Sequence, residues 1–174
     1  MDINYIVSLL TFISNIVFVL FILLMFIRDF RLKVFSFVSS KINLILFVLS
    51  FGAVAGSLIY SEIVGFPPCN LCWWQRVFMY PIPLLALIAW IKKDKGITDY
   101  VLPMSIVGAF IAFYHSLVQW GFNVAITNCT IGDEAECGKL YVYEFGYITI
   151  PFMALSIFVY LIVVSLIHKK SLKN

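Results

Sequence analysis

Two cysteine pairs are the residues of this chain whose type and spacing suit redox chemistry. Cys69 and Cys72 enclose two residues, and we refer to them as the motif pair; Cys129 and Cys137 enclose seven residues and form the loop pair. A Cys-x-x-Cys disulfide closes a small strained ring and exchanges readily. The motif pair is therefore suited to a disulfide that is made and broken, although a static link or half of a zinc site has the same spacing.

The sequence around the motif pair predicts that it lies at the start of a helix. Pro67 and Pro68 stop any preceding helix from continuing and deliver Cys69 at the mouth of the next one. Cys72 then falls in the first turn, where free amides and the helix dipole favour a thiolate. Arg76 lies one turn further on the same face. A cation inside a membrane helix usually has a functional partner, but a snorkelling interfacial arginine is the alternative.

His115 is the second polar residue that the pattern places at this depth, five residues before the interfacial Trp120. Its imidazole could donate a hydrogen bond to a carbonyl ligand or simply satisfy a neighbouring helix. Gln75 and Gln119 add polar groups at the same level. Four aromatic residues could flank a flat ring, or could simply mark the membrane interface: Trp73, Trp74, Tyr114 and Trp120.

The loop pair has a different electrostatic environment. Its intervening segment carries Asp133, Glu134 and Glu136, which disfavour a thiolate, whereas the influences on Cys72 are the opposite. Different redox properties of the two pairs would permit directional transfer. The alternative is a structural staple in an acidic loop.

Composition predicts an all-α integral membrane protein. Hydrophobic residues make up 63% of the 174 residues and charged residues only 12%, against about a quarter charged in soluble domains. Five apolar runs are long enough to cross a bilayer as helices. We expect Pro81 and Pro83 to kink the third run, and Gly52 and Gly56 to permit close helix packing. The runs are 5–27, 42–60, 71–91, 100–120 and 148–167.

Charge placement predicts the orientation of these helices. Ten of the twelve Lys and Arg residues follow the first, third and fifth runs, and such enrichment marks the cytoplasmic side. The amino terminus and both cysteine pairs are then predicted outside, with the carboxyl terminus in the cytoplasm. An even number of cysteines in that compartment fits disulfides better than a metal site, so no metal is expected.

Segment 69–76, Cys-Asn-Leu-Cys-Trp-Trp-Gln-Arg, resembles the Cys-x-Leu-Cys-x-x-x-Arg segment of the disulfide bond formation protein B family (DsbB). Segments 114–117, Tyr-His-Ser-Leu, and 146–151, Gly-Tyr-Ile-Thr-Ile-Pro, are similar to its BdbC-type members. The resemblance implies a four-helix transmembrane catalytic bundle over 42–167. An extra transmembrane helix with a basic connection would occupy 1–41, and a basic cytoplasmic tail 168–174.

The same resemblance implies an activity in a bacterial cell membrane. The protein would reoxidise a DsbA-like (BdbD-like) thioredoxin-fold thiol oxidase and pass the electrons to a quinone, either menaquinone or ubiquinone. The partner's thiolate would attack Cys129, and Cys137 would exchange with the motif pair. Cys72 would deliver electrons beside Arg76, with His115 near the same ring. Membrane lipid, but no nucleic acid, is expected as a further partner.

Two alternatives remain open from the sequence. A vitamin K epoxide reductase-like protein also couples thiols to quinone, but there the loop pair precedes the Cys-x-x-Cys helix, whereas here Cys69 and Cys72 come first. The other alternative is a non-enzymatic membrane protein with structural disulfides or a metal site. It predicts no quinone reduction and indifference to replacement of Arg76.

Overall fold

The chain folds into membrane-spanning helices, as the apolar runs predict. The computed structural model describes residues 3–122 and 137–173, and within them five helices are long and apolar enough to cross a bilayer. The chain is therefore a multi-pass, all-α membrane protein. The elements are α1 (Ile3–Leu24), α2 (Arg28–Leu58, continued by a π-helical turn, Ile59–Ile63), α3 (Asn70–Met79), α4 (Pro81–Lys92), α5 (Thr98–Gln119) and α6 (Ile150–Lys173).

Helices α3 and α4 together form one span with a break between them. Helix α3 ends at Met79 and α4 begins at Pro81, with Tyr80 as the junction. Proline at the start of α4 supplies no amide donor to the preceding turn, which interrupts the hydrogen-bond ladder. The interruption falls at the prolines of the third run, and the kink itself stays a prediction.

A four-membered bundle forms the core, made of α2, the α3/α4 span, α5 and α6. Helix α6 packs along α5 and α2, while α3 packs on α5 and α4 on α2. The closest approach is at Gly108, where a Cβ atom would overlap the fully buried ring of Phe158. Apolar side chains that are completely inaccessible fill the centre: Leu46, Ile82, Ala86, Val101, Ala112, Phe158 and Leu161.

Two expectations for α2 differ from the structure. Gly52 and Gly56 do not mediate close packing, because a Cβ atom at either position would meet no described atom within 4 Å. They line an open cavity instead. Residues 28–41, expected as a connection, are helical from Arg28, with one non-helical residue at Lys41 (φ −116°, ψ 17°).

Helix α1 lies outside the four-membered bundle, against α6. The Tyr160 hydroxyl donates a hydrogen bond to Asn15 Oδ1 at 2.5 Å and lies 3.1 Å from Ser14 Oγ. The Tyr160 ring also contacts Phe18, with 4.5 Å between centroids. At the start of α1, the ring of Phe12 stacks on Phe145 at 4.8 Å. Because hydrocarbon offers no hydrophobic drive for helix association, polar contacts such as those of Tyr160 carry much of this docking.

The end of the molecule opposite the cysteines is basic. There Lys169 forms a 2.7 Å ion pair with Asp99. His168 Nε2 donates to the carbonyl of Lys95 at 3.1 Å. The Asn43 side chain donates to the carbonyls of Ala89 and Asp94, where α4 ends in a left-handed residue, Lys93. These contacts bring the positively charged segments together at one end.

Candidate active site

The motif pair is presented by a tightly constrained loop between α2 and α3. Gly65 adopts φ +80°, a conformation that glycine accepts without steric cost. The two prolines then lead into Cys69, which caps α3 with extended backbone angles (φ −76°, ψ 172°). Stacked rings of Tyr60, Phe66 and Tyr141 tie the end of α2, this loop and the segment after Cys137 together.

The motif cysteines are free thiols in this structure, with their sulfur atoms 3.4 Å apart. Cys69 is 5% exposed, and Cys72 is half-buried. A disulfide requires about 2.05 Å between sulfurs. Closure of this pair therefore needs only a small movement of the two side chains.

Cys69, which lies just before the membrane span, is the sulfur best placed to hold a negative charge. Its pKa is lowered chiefly by a hydrogen bond with the Cys72 side chain and further by His115, while burial opposes the shift. Once Cys69 has lost its proton, the Cys72 thiol is the donor. The sequence expectation had placed the favoured thiolate on Cys72. The reason for the difference is that the side chains of Cys72 and His115 both form hydrogen bonds with Cys69.

His115 connects the two cysteine pairs. It is 1% exposed, and Gln75 Nε2 lies 2.9 Å from its Nδ1 atom. With Nδ1 accepting that hydrogen bond, Nε2 carries the proton and donates to the carbonyl of Cys137 at 3.1 Å. The same Nε2 atom is 3.7 Å from Cys69 Sγ. Both ring nitrogens of His115 therefore have protein partners: Gln75 at Nδ1, and the Cys137 carbonyl and Cys69 sulfur at Nε2.

Of the loop pair, the structure describes Cys137, which is 2% exposed and disulfide-bonded. It belongs to the same buried cluster as Cys69 and Leu71. Gln119 Nε2 donates to the carbonyl of Lys139 at 3.1 Å and holds the segment after Cys137 against α5. The predicted Cys129 and the three acidic residues Asp133, Glu134 and Glu136 lie outside the described residues.

The Arg76 side chain on α3 is held by hydrogen bonds to α2. Its Nε atom donates to Ser57 Oγ at 3.0 Å, and Nη2 donates to the Ser57 carbonyl at 3.2 Å. The guanidinium also lies over the rings of Trp73 and Tyr80, at 5.1 and 5.9 Å from their centroids. All these partners are neutral, and no carboxylate pairs with Arg76 within residues 3–122 and 137–173. Among the described residues, nothing neutralises its charge, which is held in place by these neutral partners.

A cavity of about 370 Å³ joins these groups. Its volume falls in the usual range for small-molecule sites, roughly 300–1,000 Å³. It extends from the motif pair to helices α1, α2 and α6. The structure brings these predicted polar residues to its wall: Cys69, Cys72, Gln75, Arg76, His115 and Gln119.

The aromatic residues of the cavity are not the ones that the sequence suggested. Among the described residues that line it, none of the four predicted aromatic side chains appears, and Trp73 and Trp74 are instead more than half exposed. Tyr60, Tyr80 and Tyr141 line the cavity in their place.

Sequence reasoning also missed Ser57, the hydrogen-bond partner of Arg76. One signal was available: Ser57 is a polar residue inside an apolar run, and such residues face the bundle interior.

The family model for disulfide bond formation protein DsbB matches residues 39–168, which covers most of the chain, including Cys69, Cys72, Arg76, His115 and Cys137. The chain belongs to the DsbB family. The match distinguishes it from the vitamin K epoxide reductase-like alternative and agrees with the resemblance seen in segment 69–76. Residues 1–38, which include α1, lie outside the matched part.

Two curated relatives from Bacillus subtilis (strain 168) are similar to this DsbB-family chain. The SPbeta prophage-derived disulfide bond formation protein B is 46% identical over 111 residues, 64% of this chain and 74% of the relative. Disulfide bond formation protein C is 46% identical over 118 residues, 67% and 83% of the two chains. The probable disulfide formation protein C 1 of Bacillus anthracis is 45% identical over 124 residues, 70% and 87%. No solved structure gives a significant match.

Proposed function

We propose that this DsbB-family protein is a membrane thiol oxidase that reoxidises an extracytoplasmic thioredoxin-like dithiol protein and passes the electrons to a quinone. The observation that carries the proposal is the shared position of the groups involved. The motif thiols and Arg76 line one cavity, and His115 links Cys69 to the backbone of Cys137.

The thiol chemistry proceeds by two disulfide exchanges. A thiolate of the partner attacks Cys129 in the loop disulfide, and the partner's second thiolate completes its own disulfide, which leaves Cys129 and Cys137 reduced. Cys137 then attacks Cys69 in the motif disulfide and releases the Cys72 thiolate; Cys129 attacks Cys137 and releases Cys69. The two electrons now reside on the motif pair. This product has free motif thiols and a disulfide at Cys137, as in this structure.

His115 supports the second exchange in this scheme. Its Nε2 proton is shared between the Cys137 carbonyl and the Cys69 sulfur. A donor at this point stabilises negative charge on Cys69 when that sulfur is the leaving group. We therefore assign His115 to positioning the two pairs, while Arg76 presents a donor to the cavity.

The cavity residues fit a quinone head group. The half-buried guanidinium of Arg76 has neutral partners only among the described residues, so it retains the capacity to bind a carbonyl or phenolate oxygen. Cys72 and Arg76 line the same cavity. A bound quinone would accept two electrons and two protons from the motif thiols and restore their disulfide. Arg76 would hold a ring oxygen, and Cys72, which lines the same cavity, would be the thiol that passes electrons to the ring.

The remaining assignments follow from charge placement. The basic end lies on the cytoplasmic side, and both cysteine pairs face outward, where an oxidising compartment lets disulfides persist. Residues 42–167 form the catalytic bundle. Residues 1–41 add the extra helix and its connection, and 168–174 form the cytoplasmic tail.

The decisive experiment uses purified protein, a quinone and a reduced thioredoxin-like dithiol protein, with quinone absorbance as the readout. We expect thiol-dependent quinone reduction that Cys72→Ser abolishes. Arg76→Gln should raise the KM for quinone about tenfold or more, since a hydrogen bond to a charged group contributes about 1.5–3 kcal/mol. Lys92→Gln, at the far end of the same span, is the matched control and should leave KM unchanged. Full activity in Cys72→Ser would overturn the mechanism.

A metal-binding protein is the second candidate, and one observation favours it. The ligand atoms of Cys69, Cys72 and His115 lie within 4.8 Å of one another. Structural zinc sites have four ligands, and no fourth protein ligand joins this group among the described residues. Elemental analysis of the reduced, purified protein separates the candidates: one zinc ion per chain without quinone reductase activity would favour the metal site.

A further inference from the structure

The cavity is longer than a head group at the cysteines requires, and helix α1 forms part of its wall. Arg76 and Ser57 lie at its polar end. On α2 the lining continues from Ser57 down to Val48. Nine helical residues separate these positions by about 13 Å along the axis, at 1.5 Å per residue. The cavity therefore reaches well into the apolar depth of the bundle.

Three residues of α1 face this extension: Val7, Thr11 and Ser14. Their spacing of four and three residues places them on one face of a helix. The hydroxyl groups on this face are already used, because Thr11 donates to the Val7 carbonyl at 2.9 Å and Ser14 to the Thr11 carbonyl at 2.8 Å. The hydroxyl protons that α1 carries on this face are consequently not available as donors to a bound molecule.

The opposite wall is apolar and lacks side-chain bulk. Gly52 and Gly56 line it, and a Cβ atom at either position would meet no described atom within 4 Å. Ala53 and Ala154 add only methyl groups. The space between α1 and α2 is thus kept open by residue size.

We infer that α1 forms one wall of a channel for the isoprenoid tail of the quinone, which passes between α1 and the Gly52–Gly56 face of α2. This inference rests on the proposed quinone reduction. It assigns a role to a helix that lies outside the part of the chain matched by the family. The head group occupies the polar end beside Arg76, and the tail runs along Thr11 toward Val48.

The tail gains little hydrophobic energy by leaving lipid for this channel, because both surroundings are apolar. Bulk added to the channel should therefore weaken binding by overlap with the tail. Overlap of this kind is costly in a packed site, and we expect a loss of about tenfold in affinity, which corresponds to about 1.4 kcal/mol.

The test measures binding without turnover, by quenching of tryptophan fluorescence in the full-length protein. Menadione, which has no isoprenoid tail, is compared with a menaquinone carrying several isoprene units; tailless and tailed ubiquinones form a second pair. The ring type that binds the wild-type chain more tightly is used thereafter. The measured quantity is the ratio of the Kd of the tailed compound to that of the tailless one.

Two neighbouring residues of α1 supply the matched variants. Thr11→Phe fills the channel, whereas Leu10→Phe adds an aromatic ring at a position that is 62% exposed and does not line the cavity. We expect Thr11→Phe to raise the Kd ratio about tenfold, and Leu10→Phe to leave it unchanged. Gly52→Leu, on the opposite wall, should also raise the Kd ratio. It provides a second test if the Thr11→Phe variant does not fold.

Each outcome distinguishes the inference from the function on which it rests. If neither ring type binds the wild-type chain, the proposed function fails. If both tailed and tailless quinones bind and the ratio is the same in Thr11→Phe, Gly52→Leu and wild type, the quinone site stands and the tail channel is wrong.

Discussion

The hydrogen bond between the motif sulfurs makes a quantitative prediction about Cys69. Its thiolate is stabilised first by the Cys72 thiol and then by His115. Cys72→Ala removes the first donor and leaves the second, 3.7 Å away, in place. A hydrogen bond to a charged group contributes about 1.5–3 kcal/mol, and one pKa unit corresponds to about 1.4 kcal/mol. Cys72→Ala should therefore raise the pKa of Cys69 by about one to two units.

Cys72→Ser is the matched control for this change. Serine also cannot form the motif disulfide, but its hydroxyl retains a donor beside Cys69. The pKa of Cys69 should consequently stay low in the serine variant. The comparison isolates the hydrogen bond from the loss of the disulfide partner.

The assay is the pH dependence of Cys69 alkylation by iodoacetamide, followed by mass spectrometry of the peptide that contains it. Serine replaces both loop cysteines in every variant, so that disulfide exchange does not compete. Only the thiolate reacts. A lowered pKa therefore preserves reactivity into acid solution, and reactivity is lost as the pH falls through that pKa. Identical profiles for Cys72→Ala and Cys72→Ser would refute the assignment of Cys72 as the main donor.

Three further substitutions test how the bundle positions the site. Gly108→Ala should lower the free energy of unfolding by about 1–3 kcal/mol, because its Cβ would overlap Phe158; denaturation in detergent measures this. Asn43→Ala should destabilise the basic end by about 1–2 kcal/mol through two lost hydrogen bonds, with a lower Tm. Tyr160→Phe removes the donor to Asn15; limited proteolysis should then cut α1 faster while the Tm of the remaining bundle stays within a few degrees.

Helix number and the interruption at Tyr80 could be predicted from the sequence because they depend on local properties. A run of apolar residues must be helical to satisfy its backbone in hydrocarbon, and prolines at 81 and 83 interrupt the ladder wherever the helix packs. The helical start of α2 was missed, since residues 28–41 are polar enough to resemble a connection. How these residues pack against α6, where Ser171 donates to the Phe35 carbonyl at 3.2 Å, depends on the tertiary fold and not on local sequence.

The site was only partly predictable, and the residues show why. The pattern at 69–76 identified the motif pair and Arg76, but the partner of Arg76 is Ser57, nineteen residues earlier on another helix. The choice between Cys69 and Cys72 depends on hydrogen bonds to Cys69 from the side chains of Cys72 and His115, and His115 lies on another helix. Gly52 and Gly56 have the spacing of a packing motif. Whether another helix fills the space opposite them is decided by how the whole bundle assembles.

The arrangement of polar groups gives the two motif sulfurs different tasks. Cys69 is buried with Cys137 and shares the proton of His115, so its environment favours exchange with the loop pair. Cys72 is half-buried and lines the cavity that Arg76 also lines. In the proposed mechanism, exchange at Cys69 would leave the charge on Cys72, where an arginine whose described partners are all neutral could stabilise it. In the proposed mechanism, the oxidised motif pair would use Cys69 for exchange with the loop pair and Cys72 for transfer of electrons to the cavity.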